Sequence, residues 1–197
     1  MLIVCNRYAG LAAIFVFLAV AGCSSGPPVQ PWRPAGSAVT TMVASEPTTT
    51  PRPARPRELR LDGKDPCATV PKSEWATFSI DLAKPELDPT FRSPSCFFNS
   101  SKAAMGVVLV VTEGIEAWAP GKRVSTPANV APIQGFPAIS LLRPAGRTDC
   151  AVAVDVAQGQ YLMADVVIDL NDVANLPDPC TYAHQFAEVA IGTLLGG

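Results

Sequence analysis

Four cysteines in the C-terminal two thirds of the chain carry the clearest chemistry in this sequence, because they can form disulfides. They are Cys67, Cys96, Cys150 and Cys180. An even number of cysteines in an exported domain favours disulfide bonds. None of the four belongs to a Cys-x-x-Cys motif, so the spacing argues against a zinc ribbon and against a thioredoxin-type redox site. The sequence therefore predicts two structural disulfides.

Four cysteines allow three pairings, and the predicted elements favour one of them. Cys67 and Cys180 each follow an Asp-Pro that opens a predicted helix, whereas Cys96 and Cys150 each open a predicted strand. Joining each helix start to its nearest strand start predicts Cys67–Cys96 and Cys150–Cys180. Each bond then closes a loop of about 30 residues, which stabilises the fold by restricting the unfolded chain. The alternative joins Cys67 to Cys180 and Cys96 to Cys150.

The remaining polar residues do not assemble a recognisable catalytic set. His184 is the single histidine of the chain, and Glu188 lies four residues further on, which predicts an exposed helical contact. The sequence contains no Gly-x-Ser-x-Gly, Ser-x-x-Lys or His-Glu-x-x-His motif and no phosphate-binding loop. We therefore expect no enzyme activity, no cofactor and no catalytic residues.

Two other groups of residues have a plain structural interpretation beside a functional one. Four aspartates lie near the final loop, but their spacing is not that of a calcium-binding loop. We therefore expect their side chains to be solvated and to form no metal site. These residues are Asp165, Asp169, Asp172 and Asp178. Trp118 lies in a predicted loop, where a core position is favoured over an exposed contact residue.

The fifth cysteine, Cys23, ends a segment with the features of a secretory signal. Arg7 precedes an apolar run from Leu11 to Ala21, which is shorter than the ~20 residues that a membrane-spanning helix needs. The run ends in Val20-Ala21-Gly22-Cys23, which resembles the bacterial lipobox. In such signals the cysteine thiol receives diacylglycerol and the chain is cleaved before the cysteine. We therefore expect a signal peptide over residues 1–22 and a lipid anchor on Cys23, with Cys5 removed.

The chain after the signal divides into a tether and one domain. Residues 23–64 are rich in proline, threonine and arginine and have no hydrophobic period, so we expect a disordered tether after the lipidated cysteine. Residues 65–197 are long enough to bury one core. The whole chain has 197 residues, is 48% hydrophobic and has a net charge of −2, which argues against a nucleic-acid-binding protein.

Within residues 65–197 the patterns predict helix, strands and helix in that order. A short helix is predicted from Asp65-Pro66-Cys67 to about Phe78, and residues 81–94, with three prolines, are predicted as a loop. Five strands are predicted at 95–100, 105–112, 133–142, 150–156 and 161–169, with a turn at Gln158-Gly159. An apolar stripe after Asp178-Pro179 predicts a terminal helix. We therefore predict an α+β fold, an antiparallel sheet of about five strands with N- and C-terminal helices packed on one face.

The order of these features resembles one family. It combines the Cys23 lipobox, the tether, Asp65-Pro66-Cys67, a Cys96-Phe97-Phe98 strand, Gly135-Phe136-Pro137-Ala138, and Cys180 opening the last helix. It resembles actinobacterial lipoproteins with the domain of unknown function three-five-five-eight, which include the mycobacterial lipoproteins LprB and LprC. The resemblance implies a cell-envelope lipoprotein of unknown activity, and it supplies no catalytic residues.

Two functions follow as expectations. The first is a non-enzymatic binding or accessory module on the outer face of the cell membrane, anchored through Cys23, with an envelope protein or a wall component as partner. The second is a carrier of a lipid or other apolar ligand, which would need a cavity lined by Val107, Leu109, Phe186 and Ile191 in place of a filled core.

Overall fold

The computed structural model describes residues 53–142 and 148–197, and these ranges contain seven β-strands and one long helix. The predicted signal peptide, Cys23 and the tether as far as residue 52 lie outside the described residues. The strands are β1 (Ile80–Asp88), β2 (Ser93–Ser100), β3 (Ala103–Val110), β4 (Thr126–Ile133), β5 (Phe136–Leu142), β6 (Asp149–Ala157) and β7 (Gln160–Ile168). The helices are α1 (Trp75–Phe78) and α2 (Pro179–Gly196), and single 3₁₀ turns occupy Cys67–Thr69, Lys72–Glu74 and Ile115–Trp118.

All seven strands belong to one antiparallel sheet in the order β1-β2-β3-β7-β6-β5-β4. The prediction of about five strands was therefore wrong, and the two missed strands are the two edges. β1 contains Pro85, in the segment 81–94 that was predicted as a loop, and β4 contains Pro127 and Pro132, in a segment for which no element was predicted. An edge strand tolerates proline because one side of it has no neighbour that needs its N–H group.

The predicted N-terminal helix was also wrong. The segment forms only two 3₁₀ turns and the four-residue helix α1. Pro71 adopts an extended conformation between the two turns, with ψ of 155°, and so interrupts the helix. Ser79 then adopts a left-handed conformation with φ of 53°, which ends α1 and turns the chain into β1.

The C-terminal helix α2 is present as predicted, and it packs on β6 and β7. The Asp178 carboxylate accepts hydrogen bonds from the backbone N–H groups of Cys180 and Thr181, and Pro179 occupies the first turn. Phe186 is fully buried between the rings of Phe78 and Phe98, with centroid distances of 5.1 and 5.5 Å. Helix and sheet thus share one large core on this face of the sheet. None of the helices in the described residues is long and apolar enough to cross a membrane.

The two disulfides are Cys67–Cys96 and Cys150–Cys180, so the favoured pairing is confirmed. The first joins the 3₁₀ turn at Cys67–Thr69 to β2. The second joins the start of β6 to the first turn of α2. Each bond therefore attaches a helical segment to the sheet.

The folded domain begins before residue 65, because residues 55–62, which we call the N-terminal strap, pack along the β6–β7 hairpin. The Leu59 N–H donates to the Val156 carbonyl at 2.8 Å, and the Leu61 N–H donates to Oε1 of Gln160 at 2.8 Å. Leu61 itself is only 1% exposed and belongs to the main core. The sequence prediction assigned these residues to the tether, because their prolines and arginines hide the contacts of the partly buried Leu59 and the buried Leu61.

Candidate ligand-binding groove

The face of the sheet opposite α2 carries a second, smaller core. Its residues come from alternate positions of β3, β5, β6 and β7, which point away from the helix. They are Val108, Val110, Ile139, Leu141, Ala151, Ala153, Tyr161 and Met163, joined by Phe91 and Ile115. A loop, residues 111–125, covers part of this face, and its 3₁₀ turn Ile115–Trp118 presents Trp118 to the second core.

Trp118 is held by a cluster of aromatic and charged side chains. The Arg123 guanidinium stacks 4.5 Å from the Trp118 ring and 5.2 Å from the Phe91 ring. The same guanidinium forms an ion pair with Glu113, at 2.5 and 2.6 Å from the two carboxylate oxygens. The Tyr161 hydroxyl donates to Oε1 of Glu113 at 2.8 Å. Glu113 therefore holds Arg123, and Arg123 in turn stacks on the indole.

Burial and the bond to Glu113 raise the pKa of Tyr161 above its ordinary value of 10, in that order of importance. The nearby Trp118 indole acts in the opposite direction on this pKa. The Trp118 Nε1 atom is buried and makes no hydrogen bond of normal geometry within the described residues. The exposed part of Trp118 is therefore carbon, since its one polar atom points inward.

An open groove of about 1110 Å³ runs between the N-terminal strap and the Trp118 turn. One side is formed by the strap together with Pro53 and Ala54 just before it, the other side contains Trp118, and β4 and β5 contribute to the floor. The lining residues are Pro53, Ala54, Arg55, Arg57, Glu58, Glu116, Trp118, Ala119, Pro120, Pro127, Asn129, Ile139 and Asp155. A smaller pocket of about 240 Å³ adjoins it, and Trp118 lines both.

The strap wall of the groove is fixed by charge. Nη1 of Arg55 contacts Oδ1 of Asp155 at 2.8 Å, and the Asp155 side chain is only 5% exposed. Arg55 also pairs with Glu58, whose second oxygen accepts the Gln158 N–H at 2.9 Å. That N–H bond, followed by Arg55, lowers the pKa of Glu58. A second strap arginine, Arg60, forms an exposed ion pair with Asp62.

Two polar side chains of the groove remain available to a ligand. Arg57 on the strap and Asn129 on β4 are both exposed, and neither side chain has a hydrogen-bond or ion-pair partner in the described part of the chain. Both are planar groups with several N–H donors. The groove can therefore offer hydrogen bonds from two of its sides next to a rigid aromatic surface.

The residues that the sequence singled out lie mostly away from this groove. Nδ1 of His184 lies 3.7 Å from Glu188, which confirms the predicted helical contact, and its Nε2 lies 3.1 Å from the Ala131 carbonyl. The aspartates are dispersed: Asp178 caps α2, whereas Asp169 accepts hydrogen bonds from Asn171. Among the described residues no group of three or more side chains could hold a metal ion.

Trp118 is the exception. The sequence analysis considered a core position and an exposed contact position for it, and in the structure it packs against the second core and also lines the groove. The other groove residues were missed because the strap, the Trp118 turn and β4 are distant in sequence. The one available signal was an aromatic residue in a loop with proline and charged neighbours, Glu113–Arg123.

The chain belongs to a known family. The family described as "Protein of unknown function (DUF3558)" matches residues 18–193, which is most of the chain. Its description assigns no activity. No curated protein matches the chain, and no solved structure does.

Proposed function

We propose that this protein is a lipoprotein of the cell envelope, anchored by Cys23 on the outer face of the membrane, that binds a partner in the groove beside Trp118. The proposal includes that the protein is an actinobacterial lipoprotein similar to LprB and LprC. The lipobox Val20-Ala21-Gly22-Cys23 supports the anchor, and the long proline-rich segment after it supports a spacer between membrane and domain.

The groove is the observation that carries the binding role. Ligand sites are concave, mainly apolar and supplied with a few placed polar groups. This groove combines an indole held by Arg123 with the unpaired polar groups of Arg57 and Asn129. Its strap wall is joined to the sheet by the partly buried ion pair of Arg55 and Asp155, so the concavity is built into the domain.

A non-enzymatic role is supported by how the reactive side chains are used. The four domain cysteines are joined in disulfides and so provide no thiolate nucleophile. The imidazole of His184 contacts a backbone carbonyl and Glu188, on the other side of the sheet from the groove.

The carrier hypothesis receives less support. Val107, Leu109, Phe186 and Ile191, the expected cavity lining, are each 0% exposed and pack together in the main core. A core filled in this way leaves an apolar ligand no place between helix and sheet. The groove, by contrast, is open to solvent and bordered by charged residues.

The anchor is tested by expressing the full chain in a bacterium that processes lipoproteins and measuring the intact mass of the membrane-bound product. We expect the mass of residues 23–197 plus diacylglycerol for the wild type, and the mass of the uncleaved, unlipidated chain for Cys23→Ala. The matched control Cys5→Ala, in the segment that is removed, should leave the mature mass unchanged. An unlipidated Cys23 in the wild type would refute the anchor.

The groove is tested by photocrosslinking in intact cells. A photoreactive phenylalanine analogue replaces Pro120 in the groove or, as a control, the exposed Gln185 on α2. We expect a crosslinked species of higher mass from position 120 that is lost when Trp118→Ala is added, and none from position 185. Equal crosslinking at both positions, or none at position 120, would contradict the binding role.

A further inference from the structure

We infer that the groove beside Trp118 binds a glycan of low net charge, with the sugar rings resting on the indole and their hydroxyls bonded by Arg57 and Asn129. This inference rests on the proposed function, because it names the chemistry of the ligand for the same groove. Three features of the groove carry it: an exposed hydrocarbon surface, two unpaired planar donors, and nearly balanced charge.

The indole of Trp118 offers the type of surface on which sugar rings pack. Its Nε1 is buried, so the part that reaches the groove is carbon. A pyranose ring presents C–H groups on its faces, which pack favourably against aromatic carbon. Arg123 stacks on Trp118 at 4.5 Å and is itself held by Glu113, so the ring does not have to be ordered when the ligand arrives. Such preorganisation reduces the entropic cost of binding.

Arg57 and Asn129 supply the polar half of glycan recognition. They approach the groove from different elements, the strap and β4, so a ligand in the groove lies within the space that both line. Each offers at least two N–H donors in one plane, a geometry suited to neighbouring hydroxyl oxygens. Neither has a protein partner in the described ranges, so a ligand would not have to displace an existing bond.

The charges argue against a highly charged ligand. The lining contains two arginines, at 55 and 57, and three acidic residues, at 58, 116 and 155, which gives a net charge of −1. Arg55 already pairs with Glu58 and Asp155. Arg57 is then the one lining arginine without a partner in the described residues, and a single cation offers a polyanion little attraction.

The same groove is poorly suited to an acyl chain or to an added peptide strand. An acyl chain needs an enclosed apolar cavity, and burying the charged border of this open groove would be costly. A peptide that extends the sheet needs N–H groups along the edge. β4, the edge strand at the groove, contains Pro127 and Pro132, which have none.

The experiment applies the mature lipidated protein, extracted in mild detergent, to a printed array of bacterial wall and surface polysaccharides, with defined oligosaccharides used afterwards for titration. We expect saturable binding to at least one neutral glycan and at least tenfold weaker binding for Trp118→Ala. Because Trp118→Ala also removes packing, Arg57→Ala and Asn129→Ala are measured too, and each should weaken binding severalfold. Both residues are exposed, so neither replacement should disturb the fold.

Matched controls are available on the same elements or on similar ones. Arg60→Ala changes an exposed strap arginine that does not line the groove, and Asn99→Ala changes an exposed strand asparagine on β2. Both should bind glycan as the wild type does. An array without signal above background, or groove and control variants that bind equally, would overturn the glycan inference. If the array result is negative but position 120 still crosslinks in cells, the groove binds a partner and only the assignment of a glycan as its ligand is refuted.

Discussion

Removing either disulfide by paired Cys→Ala substitution should destabilise the domain by nearly the same amount. The two bonds join residues separated by 29 and 30 positions, so they close loops of almost equal length. In the chain-entropy account each loop is worth about 3.7 kcal/mol at 25 °C, and the difference between them is below ~0.1 kcal/mol. The two variants should therefore have almost the same free energy of unfolding.

The assay is urea unfolding of the wild type and of the two variants Cys67→Ala/Cys96→Ala and Cys150→Ala/Cys180→Ala, followed by circular dichroism. A loss of about 3.7 kcal/mol is smaller than the typical stability of 5–15 kcal/mol, so both variants should still fold. It is nevertheless a large fraction of that stability, so their urea midpoints should be clearly lower. The slope of the transition should rise slightly in each, because a chain without the crosslink exposes more surface when it unfolds.

A difference above about 1 kcal/mol between the two variants would refute the purely entropic reasoning. The larger loss would then identify the bond whose local packing contributes in the folded state. Both bonds have a buried cysteine in the sheet, Cys96 and Cys150, at 1% and 2% exposure, so the cavities left by the substitutions are closely matched. The comparison is therefore well controlled.

Three further predictions concern single residues. Phe186→Ala should lower the free energy of unfolding by about 3–5 kcal/mol in urea, because a fully buried ring is removed from between two others. The Gln158 N–H bond lowers the pKa of Glu58 in the folded state. Its contribution to stability is therefore present above the ordinary pKa of 4.5 and is lost as the pH falls through the lowered pKa. Urea midpoints measured between pH 7 and 2.5 should fall less steeply for Glu58→Gln than for the wild type, and an identical pH profile would contradict the reasoning. In an alkaline titration followed at 295 nm, Tyr161 should ionise well above pH 10, and Glu113→Gln should move that ionisation down; an unchanged titration would argue against the hydrogen bond.

Sequence patterns predicted the parts of this fold that depend on local information. The alternation of Val152, Val154 and Val156 indicated β6, and Gln158-Gly159 indicated the turn before β7, where Gly159 has φ of 71°. Asp178-Pro179 indicated the start of α2. The disulfide pairing followed from these elements, because each cysteine opens a helical segment or lies near the start of a strand.

The edge strands and the groove were not predictable in the same way. β1 and β4 contain prolines, whose tolerance depends on whether a strand has a neighbour on one side or on both. Which strands have only one neighbour is decided when the sheet assembles and is not encoded in any local pattern. The groove depends on Arg57, Trp118 and Asn129 coming together, and no spacing in the sequence relates the three positions.

The prolines at the two edges of the sheet also bear on how copies of this domain meet each other. An exposed strand edge presents unpaired N–H and C=O groups, on which a strand of a second copy can pair. Pro85 in β1 and the prolines of β4 remove N–H groups from both edges, and His184 occupies the Ala131 carbonyl of β4. Strand-to-strand pairing between copies of the domain is therefore disfavoured at both edges of the sheet.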